Sequence, residues 1–292
     1  GIIDATVRSA PSPIARHKEA PPMKTAVLTL ALTLLVGWCP VRAETLPWET
    51  RLPFKAATIT YRLEGTEQGQ EKVFVKDYGK IRANHRTSKT TVMGRNTTTE
   101  TIEITDADWV TTYDLAKRTG SRVTNPGKLY REEYTRLSDS EKKNVEQNAQ
   151  QLGGAMMGQF GGSVKQSSTK ILGYDADVTS VGNMSTVYLL RGTDLVLRSE
   201  MSIMGLRSTV EATAIDTTTP VPASAFAPPV GITATVDQEG EEMMALTVRQ
   251  MMATLKSPEG VESLKKQAGG LLPAGLPQSL EKGIPASKEE QE

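Results

Sequence analysis

The sequence predicts a mainly β (α+β) fold: an antiparallel meander interrupted by one helical segment and followed by another. Three observations carry this reading. From residue 56 to about 217, apolar and polar residues alternate with period two between turn residues. A capping box, Ser138-Asp139-Ser140-Glu141, opens a run whose apolar residues recur at helical spacing. Beyond Pro220, a proline-punctuated arm leads into a second helical stripe.

Taken in order, Ala57, Ile59, Tyr61 and Leu63 alternate with Thr58, Thr60 and Arg62, so one face is apolar and the other polar. Gln68-Gly69-Gln70 is expected to turn the chain into a strand over 72–78, and Gly79-Lys80 to turn it again into a strand from Ile81. Over 100–105, Ile102 and Ile104 share one face while Thr101 and Glu103 share the other. Trp109, Thr111, Tyr113 and Leu115 alternate with Val110, Thr112 and Asp114, and Arg118-Thr119-Gly120 turns into a strand over 122–124. Asn125-Pro126-Gly127 breaks the sheet.

The helix behind the capping box carries Val145, Ala149, Leu152 and Met156 on one stripe, expected to face the sheet. Residues 153–162 hold so many glycines that they read as a mobile loop carrying apolar side chains. Strands resume over 170–181 and 186–191, and residues 194–215 form a long hairpin around Met204-Gly205. In that hairpin Leu195, Leu197, Met201 and Ile203 alternate with Arg198, Glu200 and Ser202; Leu206, Val210 and Ala212 alternate with Arg207, Thr209 and Glu211. The arm over 221–231 cannot be a central strand. A helix is expected over 239–256 with Met244, Val248, Met251 and Leu255 on one stripe, and a polar tail over 257–292.

The first 43 residues are expected to lie outside the fold. Residues 1–22 read as an upstream extension, and residues 23–43 as a signal peptide: Lys24, an apolar run over 26–38, and Val41-Arg42-Ala43 before a cut. The apolar run is too short to span a bilayer, which takes about 20 residues. Processing removes Cys39, the single cysteine, and with it any disulfide or Cys-ligated metal. Periplasmic export follows as the expectation, with a half-barrel domain over 44–238 and no transmembrane segment in the mature chain. From residue 44 on the chain carries 29 basic and 32 acidic residues, so no basic field draws it to nucleic acid.

Few residues offer chemistry. His85 is the one histidine after residue 43, lies in a strand, and has no G-x-S-x-G nucleophile to serve. One histidine without cysteine cannot supply the usual zinc ligand sets. Asp106 and Asp108 fit turn chemistry, and Asp175 and Asp177 a solvated strand edge, better than a metal or glycosidase pair. No phosphate loop or dinucleotide fingerprint occurs. The expectation is a protein that is not an enzyme, with no catalytic residues, metal or cofactor.

Three stretches resemble a family of bacterial periplasmic proteins related to the lipoprotein-carrier (Lol-type) proteins. They are Lys55 to Tyr61 with Val75 to Lys80; Glu103 to Val110 with Asp114 to Gly120; and Val221 to Phe226 with Pro229-Val230-Gly231. The resemblance covers about residues 52–236 and rests on strands and turns. Relatives often carry a cysteine after the Gly-Tyr of a central strand, where this chain has Asp175-Ala176. The resemblance implies an open antiparallel half-barrel with helices packed in or over its concave face, enclosing an apolar cavity for acyl chains.

On that frame, alternation selects Ile59, Tyr61, Ile102, Ile104, Trp109, Leu195, Leu197, Met201 and Val210 as cavity lining. Glu103, Arg198, Glu200 and Glu211 should point to water, with the stripes around Leu152 and Met244 over the concavity and residues 153–162 as its lid. Methionines suit a lining that adapts to its guest, and equally suit ordinary packing. Two functions stay open: a carrier or sensor of a lipid, acyl chain or other hydrophobic molecule, and an envelope module binding a protein or peptide along an open sheet edge.

Overall fold

The computed structural model describes residues 46–262, apart from 47, 48, 93, 160–162, 182, 183, 204 and 261. The segments read as upstream extension and signal peptide, and the chain beyond 262, lie outside the described residues. The described strands are β1 (Ala57–Gly65), β2 (Glu67–Lys76), β3 (Ile81–Val92), β4 (Arg95–Thr105), β5 (Trp109–Asp114) and β6 (Thr119–Thr124). After helices α1 (Pro126–Thr135) and α2 (Asp139–Gln159) come β7 (Ser163–Ile171), β8 (Tyr174–Val181), β9 (Ser185–Leu190), β10 (Val196–Ile203) and β11 (Leu206–Asp216). A short 3-10 turn (Ala223–Phe226), β12 (Ala234–Val236) and α3 (Gln238–Lys256) follow. The fold is mainly β, as expected.

All twelve strands belong to one open sheet in the order β12-β6-β5-β4-β3-β2-β1-β11-β10-β9-β8-β7. Every pairing is antiparallel except β12 on β6. The sheet curls on itself without closing. Strands β3 and β10 stand four steps apart, roughly 19 Å across a flat sheet. Yet Arg82 of β3 donates to both carboxylate oxygens of Asp194, two residues before β10, at 2.7 and 2.8 Å. The Tyr61 hydroxyl likewise reaches over β11 to the Val196 carbonyl at 2.7 Å. Register shifts at Thr60/Tyr61 and at Val196/Arg198 supply bulges that sharpen such curvature.

Each face of the sheet buries a different stretch. On the concave face, Ala57, Ile59 and Tyr61 pack with Val73, Val75, Ala176, Leu190, Leu195, Leu197 and Ala212. On the convex face, Ala83, Ile104 and Tyr113 pack with Phe74 and Ile102 beneath Phe226 of the proline-rich arm and beside Ile232 and Ala234, which follow it. Prolines keep that arm out of the ladder, so it covers a face instead of extending the sheet.

The three helices share a core of their own, in which Val145, Val248, Met252 and Leu255 meet Leu129, Tyr130, Met244 and Met251. The stripe of α2 through Val145 thus faces α3, not the sheet. Asn148 fixes this pairing by donating to the Leu255 and Ser257 carbonyls at 2.8 and 2.7 Å, ending α3 with satisfied acceptors. The segment ahead of β1 straps helices to sheet. Leu46 packs on the helical core, Glu49 pairs with Arg131 of α1, and Leu52 is buried in the concave core.

Several local expectations need correction. Residues 68–70 do not turn; they continue β2, and the turn lies at Gly65, which must be glycine because its φ is +101° and a Cβ there would stand 2.1 Å from the Arg207 carbonyl oxygen. Gly69 is small because Thr87 of β3 leaves no room for a Cβ: its carbonyl oxygen would stand 2.2 Å away. The expected strand over 170–181 is broken at Leu172-Gly173, both with positive φ, into β7 and β8. By contrast, Asn125-Pro126-Gly127 ends the sheet as expected, and α1 starts there, with the Asn125 side chain accepting from the Gly127 amide and proline in the first turn. Residues 153–159 are helical, continuing α2, so the lid expected over 153–162 is not a loop there, and 160–162 lie outside the described residues. Propagation from a capped helix offsets the local glycine cost.

Candidate functional site

Pairing register assigns each strand residue to a face, because directly opposed residues share one. From Ile59 and Tyr61 the concave face passes to Val73 and Glu71 of β2. It continues to Asn84 and Arg86 of β3, then to Glu103 and Thr101 of β4. In the other direction it passes to Val210 and Ala212 of β11, and from Val210 and Ser208 to Ser199 and Met201 of β10. The concave face is therefore apolar on β1, β10 and β11, polar on β3 and β4, and divided on β2, where Val75 and Val73 give way to Glu71 and Glu67.

The lining chosen by alternation divides accordingly. Ile59, Tyr61, Leu195 and Leu197 come together in the concave core, all 5 % exposed or less. Val210 packs against that core, and Met201, at 41 % exposed, carries the same face out to solvent. Ile102, Ile104 and Trp109 fall on the convex face, the first two under the arm and Trp109 beneath the Arg122 guanidinium at 4.4 Å. They are not part of one lining with the others. Arg198, Glu200 and Glu211 pair with one another and with Arg62 on the convex side. Glu103, expected in water, stands instead on the concave face.

That polar half is a connected cluster. Arg86 holds Glu67 through a two-pronged contact and donates to Glu71 at 3.1 Å. Ser88, 3 % exposed, lies on the same face beside Glu67. Glu103, directly opposite Asn84, makes no ion pair or hydrogen bond among the described residues. The Asn84 Oδ1 atom is shut off from solvent and accepts no hydrogen bond.

Burial pushes the Glu71 carboxyl above its ordinary range, and neighbouring Glu67 adds to this against the pull of Arg86. Burial and the nearby Glu71 charge push Glu103 up as well. Glu67 moves the other way: burial raises it, but the hydrogen bonds and charge of Arg86 outweigh that. Tyr61, buried beside Glu71, is raised far beyond the range of its hydroxyl in water.

These directions give a pH prediction. Groups with raised folded pKa values bind protons more tightly in the folded state, so Glu71 and Glu103 make the fold gain stability as pH falls from neutrality into the upper carboxylate range. Glu103→Gln should raise the melting temperature at pH 7 and flatten that gain. Thermal melts of both proteins between about pH 7 and pH 5 check it, and an unchanged slope would contradict it.

No protein-family model matches the chain, and no curated protein matches it. Among solved structures it is similar to an uncharacterized conserved protein from Thermus thermophilus, at 7 % identity and a TM-score of 0.36, covering 73 % of this chain and 99 % of that one. It is also similar to PNGF-II, at 14 % identity and a TM-score of 0.34, covering 65 % of this chain. The chain spans about a third of PNGF-II, 33 % of its length.

The other candidate groups are occupied. The His85 Nε2 stands 2.8 Å from the Ala225 carbonyl, which makes it the protonated nitrogen, and the ring meets Phe74 edge-on, both on the convex side. Asp106 accepts the Asp108 and Trp109 amides at 2.9 and 2.8 Å, the turn chemistry expected of it. Asp175 and Asp177 share Arg191. Among the described residues no three His, Cys, Asp or Glu side chains are grouped to hold a metal, and no helix is long and apolar enough to cross a membrane.

Sequence reasoning missed the polar half because alternation assigned its residues to solvent. One signal was available: Glu67, Gly69, Glu71, Val73 and Val75 share one parity, so the apolar face of β2 runs on directly into carboxylates.

Proposed function

We propose that the chain is an exported, non-enzymatic binding protein of the periplasm that carries or senses a hydrophobic ligand on its concave face. One observation carries the reading. The apolar lining does not end in the packed core around Leu197 but runs through Val210 to Met201, which is 41 % exposed. The packed end forms a floor, and the end bearing Met201 is the entrance. A flexible thioether there adapts to varied guests. The commitment of His85 to the Ala225 carbonyl favours binding over acid–base catalysis.

Titrating an uncharged apolar fluorescent probe, N-phenyl-1-naphthylamine, into the wild type and Val210→Trp tests this. Saturable binding by the wild type, lost in the variant with little change in melting temperature, is the expected result. Absence of saturable binding by the wild type would remove the reading. A second reading, strand addition by an envelope protein or peptide, is favoured by β7, which pairs with β8 alone and leaves its outer edge without a strand among the described residues.

A further inference from the structure

We propose that the polar half of the concave face is a recognition site for a cationic head group, a primary ammonium, on an amphipathic guest. This rests on the reading of the concave face as the binding surface and adds the chemical class of the guest.

The charge balance is the first argument. Glu67, Glu71 and Glu103 share the face with Arg86, while the other guanidinium on it, Arg82, is taken by Asp194. Three carboxylates meet one available positive charge, so the face carries a negative excess. The second argument is hydrogen-bonding capacity. Glu103 and Asn84 stand directly opposite each other, and neither the carboxylate nor Asn84 Oδ1 receives a donor. Enclosed acceptors without donors are costly, and their natural complement is a group that brings several donors with a positive charge. An ammonium brings three donors and no acceptor. A carboxylate or phosphate head would meet repulsion and find no donors on Glu103 or Asn84 Oδ1.

The third argument is position. Glu71 lies directly across from Tyr61, and the next concave residue along β1, Leu63, lies across from Val210 on the way to Met201. Polar and apolar halves thus adjoin along β1, and a guest lying across that strand would place a charged head on one side and an alkyl body on the other.

Calorimetric titration with octylammonium and with octanoate, each below its micellar concentration, tests the assignment. Octylammonium should bind saturably at neutral pH, with octanoate at least tenfold weaker. Glu103→Gln should weaken octylammonium at least tenfold. Glu100→Gln, which removes the same charge from the exposed opposite face of β4, should bind like the wild type. Circular dichroism melts confirm that both variants are folded. Octanoate binding as tightly as octylammonium, or wild-type affinity in Glu103→Gln, would overturn the head-group assignment while leaving a hydrophobic carrier standing. Binding of neither amphiphile would overturn both.

Discussion

Leu197→Ala is expected to destabilise the protein by about 2–5 kcal/mol. Leu197 is fully buried, 0 % exposed, at the centre of the concave core, where it is surrounded by Ile59, Leu195 and Ala212. Truncation removes its transfer free energy and leaves a cavity that a sheet bridged by Tyr61 and Arg82 can only partly close. For a domain of this size each kcal/mol is worth roughly 2–4 °C, so the melting temperature should fall by about 4–20 °C. Met201→Ala makes the control, since it shares the strand and the face but is 41 % exposed, and should cost less than about 1 kcal/mol. Urea and thermal melts of both variants check the contrast. Equal effects would mean that the packed floor and the open entrance are not distinct.

Asp194→Ala is expected to cost about 1–3 kcal/mol, between the values for exposed and buried ion pairs. The side chains of Arg82 and Asp194 are 24 % and 34 % exposed, so solvent screening discounts the buried-pair figure. The loss exceeds that of a surface pair because Arg82 would keep its desolvation without its bidentate partner, and Thr50 would lose its acceptor. Burial alone would raise the Asp194 carboxyl, but the Arg82 charge and hydrogen bonds from Arg82 and Thr50 hold it below its ordinary range. With a depressed folded pKa, this stability is complete above the unfolded value of about 3.9 and drains away as pH falls through the folded one. The penalty of the variant, measured by urea melts, should therefore be full at neutral pH and shrink in strong acid. A penalty independent of pH down to acid unfolding would mean that Asp194 acts through packing, not charge.

Both effects concern the curl of the sheet, and the curl was the part least legible beforehand. Strand positions followed from alternation: β1, β4, β5, β10 and β11 lie where period-two patterning puts them, because half-buried strands need one apolar face. The caps were legible too, since the Ser138 amide donates to the Glu141 carboxylate at 2.9 Å and the Glu141 amide donates back to the Ser138 hydroxyl oxygen at 3.4 Å. Glycine was the unreliable guide. It was read as turn at Gly69, where it permits close approach of β3, and as loop at Gly153 and Gly154, where α2 continues. A glycine signals a steric need, and local sequence does not say whether turn, crossing or helix contact creates it.

By itself the sequence determined the fold class, the alternation of faces along each strand and the scarcity of histidine and cysteine that narrows its chemistry. Tertiary structure alone decided which face of each strand is the inner one. Alternation says that two faces differ and leaves open which is covered. The arm through Phe226 covers the convex face of β3–β5, and the curl covers the concave face of β1, β2, β10 and β11. Ile102 and Ile104 thus turn away from Leu197, and Glu71 and Glu103 turn inward, because a strand in one curled sheet can be apolar outward once another segment packs on its outer side.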